Sequence, residues 1–402
     1  MIILVLNCGS SSAKYQVLDM KGEGGAELLA KGIVERIGLP EGVLKHSPAG
    51  KDEFICKAPI ADHTVAINMI LEAVAHPSHG VVGSLSEIDA VGHRVAHGGE
   101  YFSDSVVVTP KVKEQIESCF ELAPLHNPAN MKGVEAVESL MPGTPQVTAF
   151  DTSFHQTMPK ENYIYPIPYR YYEQYRIRRY GFHGTSHKYV AAKGAKIAGI
   201  SLEGSKVITC HIGNGASVTA IVDGKSFDTS MGFTPVDGLM MGTRCGAIDP
   251  SVITFIAERE GLTPEQMNDF INKKCGINGL SQVSSDMRDV TAAAESGNEM
   301  AQLAIKIFFM RIKRFIGTYA AEMGGVDMIV FTGGIGEHSS EMRHEACGGL
   351  GFMGISIDEA ANKAAFGKDM VISDAKSKVK VVVATTDEEF VIASDTYRLL
   401  SK

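Results

Sequence analysis

Residues 207–222, VITCHIGNGASVTAIV, decide the fold. An apolar run, Val207 to Cys210, stops at a polar, glycine-rich turn (His211, Gly213, Asn214, Gly215). A second apolar run from Ala216 leads away to Asp223-Gly224, a strong signal for a tight β-hairpin. Between the two strands, small residues leave backbone N–H groups free to converge on an anion. The stretch therefore reads as strand, phosphate-type turn, strand.

The chain opens in the same way, with IILVLNCGSSSAKYQVLD. An offset of 204 places Gly9 on Gly213, Asn7 on His211, Ser12 on Ala216, Val17 on Ile221 and Asp19 on Asp223. One such turn in each half suggests a duplicated domain, although identity in the overlay is low. A length of 402 residues is also too great for one ordinary core. The net charge of −9 argues against bulk nucleic-acid or anionic-membrane binding, so cations that meet phosphate must be local. The apolar run at 2–6 is too short for a signal peptide, and no stretch reaches membrane-spanning length. Seven scattered cysteines without a CxxC pair predict reduced thiols in a cytoplasmic protein.

Further along, a third strand is expected over 28–37, then a Gly-, Pro- and Lys-rich loop over 38–51. Asp62, Thr109-Pro110 and Asn127-Pro128 each open a helix; residues 88–96 and 146–150 read as strands. A Tyr- and Arg-rich segment, 163–180, is expected to lie between domains. Gly184-Thr185-Ser186 starts a helix, and 298–323 is a long amphipathic core helix. Residues 326–331 form a buried strand that delivers Gly333-Gly334-Ile335-Gly336. A strand at 379–384 precedes a last helix beginning at Asp387. This alternation favours an α/β fold.

Gly224-Lys225-Ser226 resembles the end of a P-loop, but Thr219 stands where its first glycine belongs, so it reads as a hairpin turn. Neither Gly213/Gly215 nor Gly334/Gly336 completes a dinucleotide fingerprint. His183 and His187 have zinc-like spacing but lack an HExxH glutamate. Asn7, Arg94, Asp151, His211, Gly333-Gly334 and Glu388 all fall where an apolar strand stops, the place where α/β sheets collect ligands. With Arg244, these residues supply phosphate cradles, guanidiniums and hard oxygen donors, an inventory suited to phosphoryl transfer. Each also has a plainer reading: Arg94 in a surface ion pair, Asp151 and Glu388 as helix caps, His183 as a core histidine.

Nine segments carry a resemblance: NCGSSSAKYQVLD, GHRVAHGG, DTSFHQTMP, RRYGFHGTSHKYV, HIGNGAS, DTSMGFTPVDGLMMGTRCG, SSDMRDV, FTGGIGEH and TTDEEFVIA. In this order, from Asn7 to Ala393, they resemble the signature segments of the acetate kinase family. That family belongs to the sugar kinase, Hsp70 and actin superfamily. The resemblance implies duplicated βββαβαβα domains with the active site in the cleft between them. It places residues 1–153 plus 389–402 in a first ribonuclease-H-like domain and 154–388 in a second, nucleotide-binding one.

The implied reaction is reversible, magnesium-dependent phosphoryl transfer between ATP and acetate, giving acetyl phosphate and ADP, with manganese as an alternative ion. The resemblance assigns the metal to Asn7 and Glu388, and the substrate carboxylate to Arg94. It sets His183 and Arg244 against the phosphoryl group and makes Asp151 a proton donor or acceptor. Nucleotide contacts fall to Ser10, Ser12, Lys14, His211, Ile212, Gly213, Asn214, Gly215, Asp286, Met287, Arg288, Gly334, Ile335, Gly336, Glu337 and His338. Ala96, Leu125, Phe182 and Pro235 match a small apolar pocket for the acetate methyl group. Family members are typically cytoplasmic homodimers.

Three positions depart from the family pattern: His338 for Asn, Asp387 for Asn, and Ala247 for an acid. Ala96 replaces the usual Val, as in the related propionate kinases, so propionate or a broader set of short-chain carboxylates is the alternative substrate. Acetate is already ionised at neutral pH, its pKa being roughly that of a Glu side chain at about 4 to 5, and needs no general base. Asp151 is therefore read as organising an arginine or metal-bound water. Two rivals use the same residues: a nucleotide-driven binding module of the superfamily, which needs no paired arginines, and a His183 hydrolase, which lacks a nucleophile.

Overall fold

The computed structural model describes residues 1–401, which fold as two compact units: Met1–Gln156 with the C-terminal segment from Asp387, and Thr157–Thr386. In the first unit the described residues form a mixed sheet of β1 (Ile2–Cys8), β2 (Ser12–Gly22), β3 (Gly25–Glu35), β4 (Gly42–Pro48), β5 (Phe54–Ala58), β6 (Ala90–Val95), β7 (Val106–Val107) and β8 (Gln146–Phe150). Its order is β5-β4-β3-β2-β1-β6-β8-β7, with β6 parallel to β1 and β8 parallel to β6.

The opening run IILVL is apolar throughout because both faces of β1 are covered. Leu4 and Leu6 enter a core shared with helices α1 (His63–Val74) and α3 (Asn127–Leu140). Ile3 and Val5 face Ile392 and Ala393 of the C-terminal helix Glu388–Leu400. That helix lies so close to β6 that a side chain on Gly92 would stand 2.7 Å from Ile392. Asp62 caps α1 by accepting from the Val65 N–H, and Thr109 caps α2 (Pro110–Glu117) through Val112, each worth about 1 kcal/mol.

The second unit repeats the plan. Its sheet runs β11 (Lys225–Thr229), β10 (Ala216–Val222), β9 (Lys206–Ile212), β12 (Met328–Thr332), β14 (Lys380–Val383), β13 (Met370–Val371). The five-strand order β11-β10-β9-β12-β14 reproduces β3-β2-β1-β6-β8, and β12 is again parallel to both neighbours. One face of this sheet takes α4 (Gly184–Ala198). The other takes α7 (Glu299–Glu322), which buries Phe308, Ile312 and Ile316 completely. The helices between them include α5 (Pro250–Glu260) and α6 (Met287–Glu295). Among the described residues no helix is long and apolar enough to cross a membrane, and all seven cysteines are free.

The duplication carries one slip. Asn7 pairs with Lys14, whereas His211 pairs with Ser217, so the first turn is one residue longer. The offset of 204 holds along β1 and β9 but becomes 203 in the strand that follows. Val17 therefore corresponds to Ala220 rather than Ile221, and Lys14 to Ser217. Asp223 and Gly224 form the expected two-residue hairpin turn, both at positive φ (52° and 72°).

Three other expectations change. The loop expected over 38–51 contains β4, whose alternate residues Leu44 and His46 are buried; the Tyr15 hydroxyl, 2.5 Å from His46 Nδ1, satisfies the imidazole. The segment 163–180 lies within the second unit, where Arg179 Nη1 donates to the carbonyls of Thr229 and Ser230 at the end of β11. Glu388 follows no strand directly. It is the first residue of the C-terminal helix, behind the Asp387 cap, and so belongs with the first unit.

Candidate active site

In the first unit, β1, β6 and β8 end side by side and bring Asn7, Arg94 and Asp151 together. Arg94 donates twice to Asp151, from Nε at 2.9 Å and from Nη2 at 2.5 Å, and once from Nη1 to Asn7 Oδ1 at 3.2 Å. The Asp151 carboxylate is 3% exposed, the Arg94 side chain 26%. Asp151 beside it drives the Arg94 guanidinium further above its already high pKa, against the cost of burial. This is a planar fork locked on a buried carboxylate, with one edge turned outward.

Glu388 joins the cluster from the helix. Burial raises its pKa; Arg94 pulls it down, Asp151 pushes it up, and Lys14 and Asp387 act more weakly in opposite senses. Ser10 and Lys14 are exposed and Ser12 is half-buried, around the turn in which Gly9 N–H donates to Ser12 O. Among the departures, Asp387 has a local role: its side chain caps the helix by accepting from the Phe390 N–H at 2.9 Å.

Ala96 is held from below by α3. Its N–H donates to Asn130 Oδ1 at 3.0 Å, while Asn130 Nδ2 donates to Cys8 O. Asn127 clamps the N–H and carbonyl of His97 in the same way. Asn127 was legible only as a helix opener and Asn130 not at all, because the contacts span 30 residues or more. Leu125 is 58% exposed in the same unit, whereas Phe182 and Pro235 belong to the second.

In the second unit, the β9–β10 turn is the centre. A methyl group placed on Gly215 would lie 3.6 Å from Arg244 Nη1 and 3.7 Å from His183 Nε2. One placed on Gly213 would lie 4.0 Å from Gly334 N, and one on Gly242 would strike the Asn214 amide and come within 3.1 Å of Ser285 O, next to Asp286. The structure thus brings together His183, Gly213, Asn214, Gly215, Arg244, Gly334 and the start of α6. His183 sits at φ 57° as the residue that opens α4, a left-handed conformation uncommon outside glycine.

Arg244 makes no ion pair among the described residues; its recorded contact is with Met241 Sδ at 3.8 Å, and burial lowers its pKa. Its backbone is wedged against Gly276, at φ 66°, where any side chain would meet the Arg244 N at 2.9 Å. Nothing in the local sequence marks Gly276 for that task.

The remaining nucleotide candidates divide. In α8 (Gly333–His338), Gly334 and His338 are exposed, and His338 Nδ1 lies 2.9 Å from Gly334 O. Glu337 turns inward, accepting from the Gly333 and Thr386 N–H groups; Ile335 packs on the core and Gly336 is buried. Asp286 caps α6 and binds the Arg288 guanidinium, which pulls its pKa down to about 2; the Arg288 side chain is 89% exposed. Met287 packs on the core, as Ile212 does.

The histidines form a network that sequence reading missed. His211 Nδ1 lies 2.8 Å from Ser186 Oγ, which lies 2.9 Å from Thr386 Oγ1. The rings of His183 and His211 are 4.4 Å apart. Ser217 lies between His183 and His187 (2.9 and 2.7 Å), and His187 reaches Thr209 Oγ1 at 2.7 Å.

Comparison with known proteins shows the family. The acetokinase family model matches residues 2–394. The chain is 54% identical over 402 residues to the acetate kinase of Desulfitobacterium hafniense (strain DSM 10664 / DCB-2), covering 100% of each chain. It superposes on the crystal structure of Porphyromonas gingivalis acetate kinase with a TM-score of 0.95, 50% identity and 99% of each chain covered. A propionate kinase from Francisella tularensis subsp. tularensis SCHU S4 follows at TM-score 0.91 and 39% identity, over 99% of this chain and 100% of that one. The chain belongs to the acetokinase family.

Proposed function

We propose that this chain transfers a phosphoryl group reversibly between ATP and acetate, giving acetyl phosphate and ADP. One observation carries the reading: Arg244, a half-buried guanidinium with no carboxylate partner among the described residues, converges with His183 on a glycine turn. A cation so placed is complementary to the charge spread over the equatorial oxygens of a phosphoryl group in flight. Arg94, held flat by Asp151, is the fork for the acetate carboxylate. Asp151 accepts from Arg94 with both oxygens and so orients the guanidinium, and acetate, already ionised at neutral pH, needs no general base. The test runs the reaction backwards: acetyl phosphate and ADP should yield ATP at a rate that saturates in both, and failure to do so would remove the proposal.

Magnesium is part of the proposal. Among the described residues no three His, Cys, Asp or Glu side chains form a metal cage. Asn7 Oδ1 and Glu388 instead offer hard oxygens; burial raises the Glu388 pKa, with Asp151 adding to it, and a nearby divalent ion would favour the charged carboxylate. When bound, the ion would neutralise phosphate charge. Glu388→Ala should therefore raise the magnesium concentration for half-maximal activity and depress turnover with the fold intact. An unchanged magnesium titration would refute the assignment.

The acyl pocket decides which acid is preferred. With its N–H fixed by Asn130, Ala96 resists the backbone shift that would refill the space left by the family's valine. Room for one CH₂ is worth about 0.8 kcal/mol, so propionate should come within about tenfold of acetate in kcat/KM. Ala96→Val should penalise propionate selectively; an unchanged ratio of the two acids would remove the pocket argument. The proposal also includes a cytoplasmic homodimer. The α5 helix, which buries no residue of its own and exposes Val252 and Phe255, supplies apolar surface for a second copy.

A further inference from the structure

Arg244 has no ion pair among the described residues, so the backbone that carries it must set its position. That backbone rests on a helix end. Residues Phe270–Lys274 form a π-helical turn that closes the short helix Pro264–Asp269. The last carbonyls of a helix find no partner within it, and two of them meet the Arg244 loop. Ile271 O accepts from the Cys245 N–H at 3.2 Å, and Asn272 O accepts from the Thr243 hydroxyl at 2.8 Å. Beyond the turn the direction reverses. The N–H groups of Cys275, Ile277 and Asn278 donate to the carbonyls of Thr243, Met241 and Gly242 at 3.1, 2.8 and 2.9 Å. Between them Gly276, at φ 66°, lies so close that a Cβ there would stand 2.2 Å from Met241 O.

The anchors fall on both sides of Arg244: the Thr243 hydroxyl and carbonyl before it, the Cys245 N–H after it. All but one of these bonds join backbone to backbone. The exception is the Thr243 hydroxyl, whose single proton goes to Asn272 O. An arginine side chain is long, so a small shift of its Cα is carried to the guanidinium, which here lies 3.6 Å from where a Gly215 methyl group would stand. A misplacement of about 1 Å at a reacting group can cost about 10²-fold in rate.

We propose that Thr243 is a positioning residue: its hydroxyl pins the Arg244 loop to the Phe270–Lys274 turn and so aims the guanidinium at the transferred phosphoryl group. The inference rests on the proposed placement of Arg244 against that group. Thr243 acts through the backbone it anchors, and Gly276 completes the brace by letting the two chain segments lie in contact.

Kinetics and hydrogen exchange test it. Thr243→Val keeps the shape of the side chain and removes only the hydroxyl. It should lower kcat by about 10-fold, the worth of one hydrogen bond in the barrier, with KM for ATP and acetate within about threefold. Thr243→Ser, which keeps a hydroxyl, should recover most of the loss. In an Arg244→Ala background, Thr243→Val should lower kcat no further, because the group it positions is gone. By hydrogen exchange on the intact enzyme, 241–245 and 270–278 should exchange faster in Thr243→Val while β9 and β12 stay as protected as in the parent, a readout independent of which reaction is catalysed. Three results would each overturn the proposal: kcat within about twofold of the parent, a loss confined to KM for ATP, or an undiminished loss when Arg244 is already absent. If Arg244→Ala itself had normal turnover while the exchange result held, the reading of Arg244 would fail and the brace would stand.

Discussion

Arg94→Ala should cut kcat/KM for acetate by about 10³-fold or more, most of it as a higher KM for acetate, and should also lower the melting temperature. Both effects come from one geometry. Arg94 is the counter-charge of a carboxylate that is 3% exposed, and its removal strands Asp151 without a cation. Losing one member of a buried ion pair costs about 3–5 kcal/mol of stability. Arg94→Lys separates the two effects: an ammonium still neutralises Asp151 but cannot offer a carboxylate a planar fork. The lysine variant should keep most of the stability and still bind acetate poorly. If it bound acetate normally, Arg94 would have a purely structural role.

Arg244→Ala should behave differently. Arg244 has no ion pair to break among the described residues, and burial without a partner already disfavours its charge. Removing it should leave stability unchanged or slightly increased. The effect should fall on kcat, by about 10²-fold or more, with a smaller change in KM for ATP, because in the proposed role the charge it meets develops in the transition state. A variant with normal kcat and a raised KM for ATP would instead place Arg244 in nucleotide binding.

The difference between the two arginines was only partly legible in the sequence. Both could be found: Arg94 stands where an apolar strand stops, the place where α/β sheets gather function, and Arg244 stands on a turn. What pairs with each could not, since Arg94 and Asp151 are 57 residues apart and meet only through the parallel alignment of β6 with β8. The repeat was visible because strand, turn and strand recur, yet the one-residue difference between the turns shifted half the overlay. The β4 strand stayed hidden because Gly42, Lys45 and Pro48 resemble loop residues, and its buried His46 is tolerated only through Tyr15 and the His79 carbonyl. Ser217 gave no signal at all. A serine in an apolar strand has nothing to mark it until α4 sets His183 and His187 on either side.

The most direct test of the central claim is to trap the product. With ATP, magnesium and hydroxylamine present, acetate should yield acetyl hydroxamate in step with ADP, and omission of acetate should stop both. ADP release that continues at the same rate without acetate, and without hydroxamate, would contradict the account and identify the chain as an ATPase that uses this fold for another purpose.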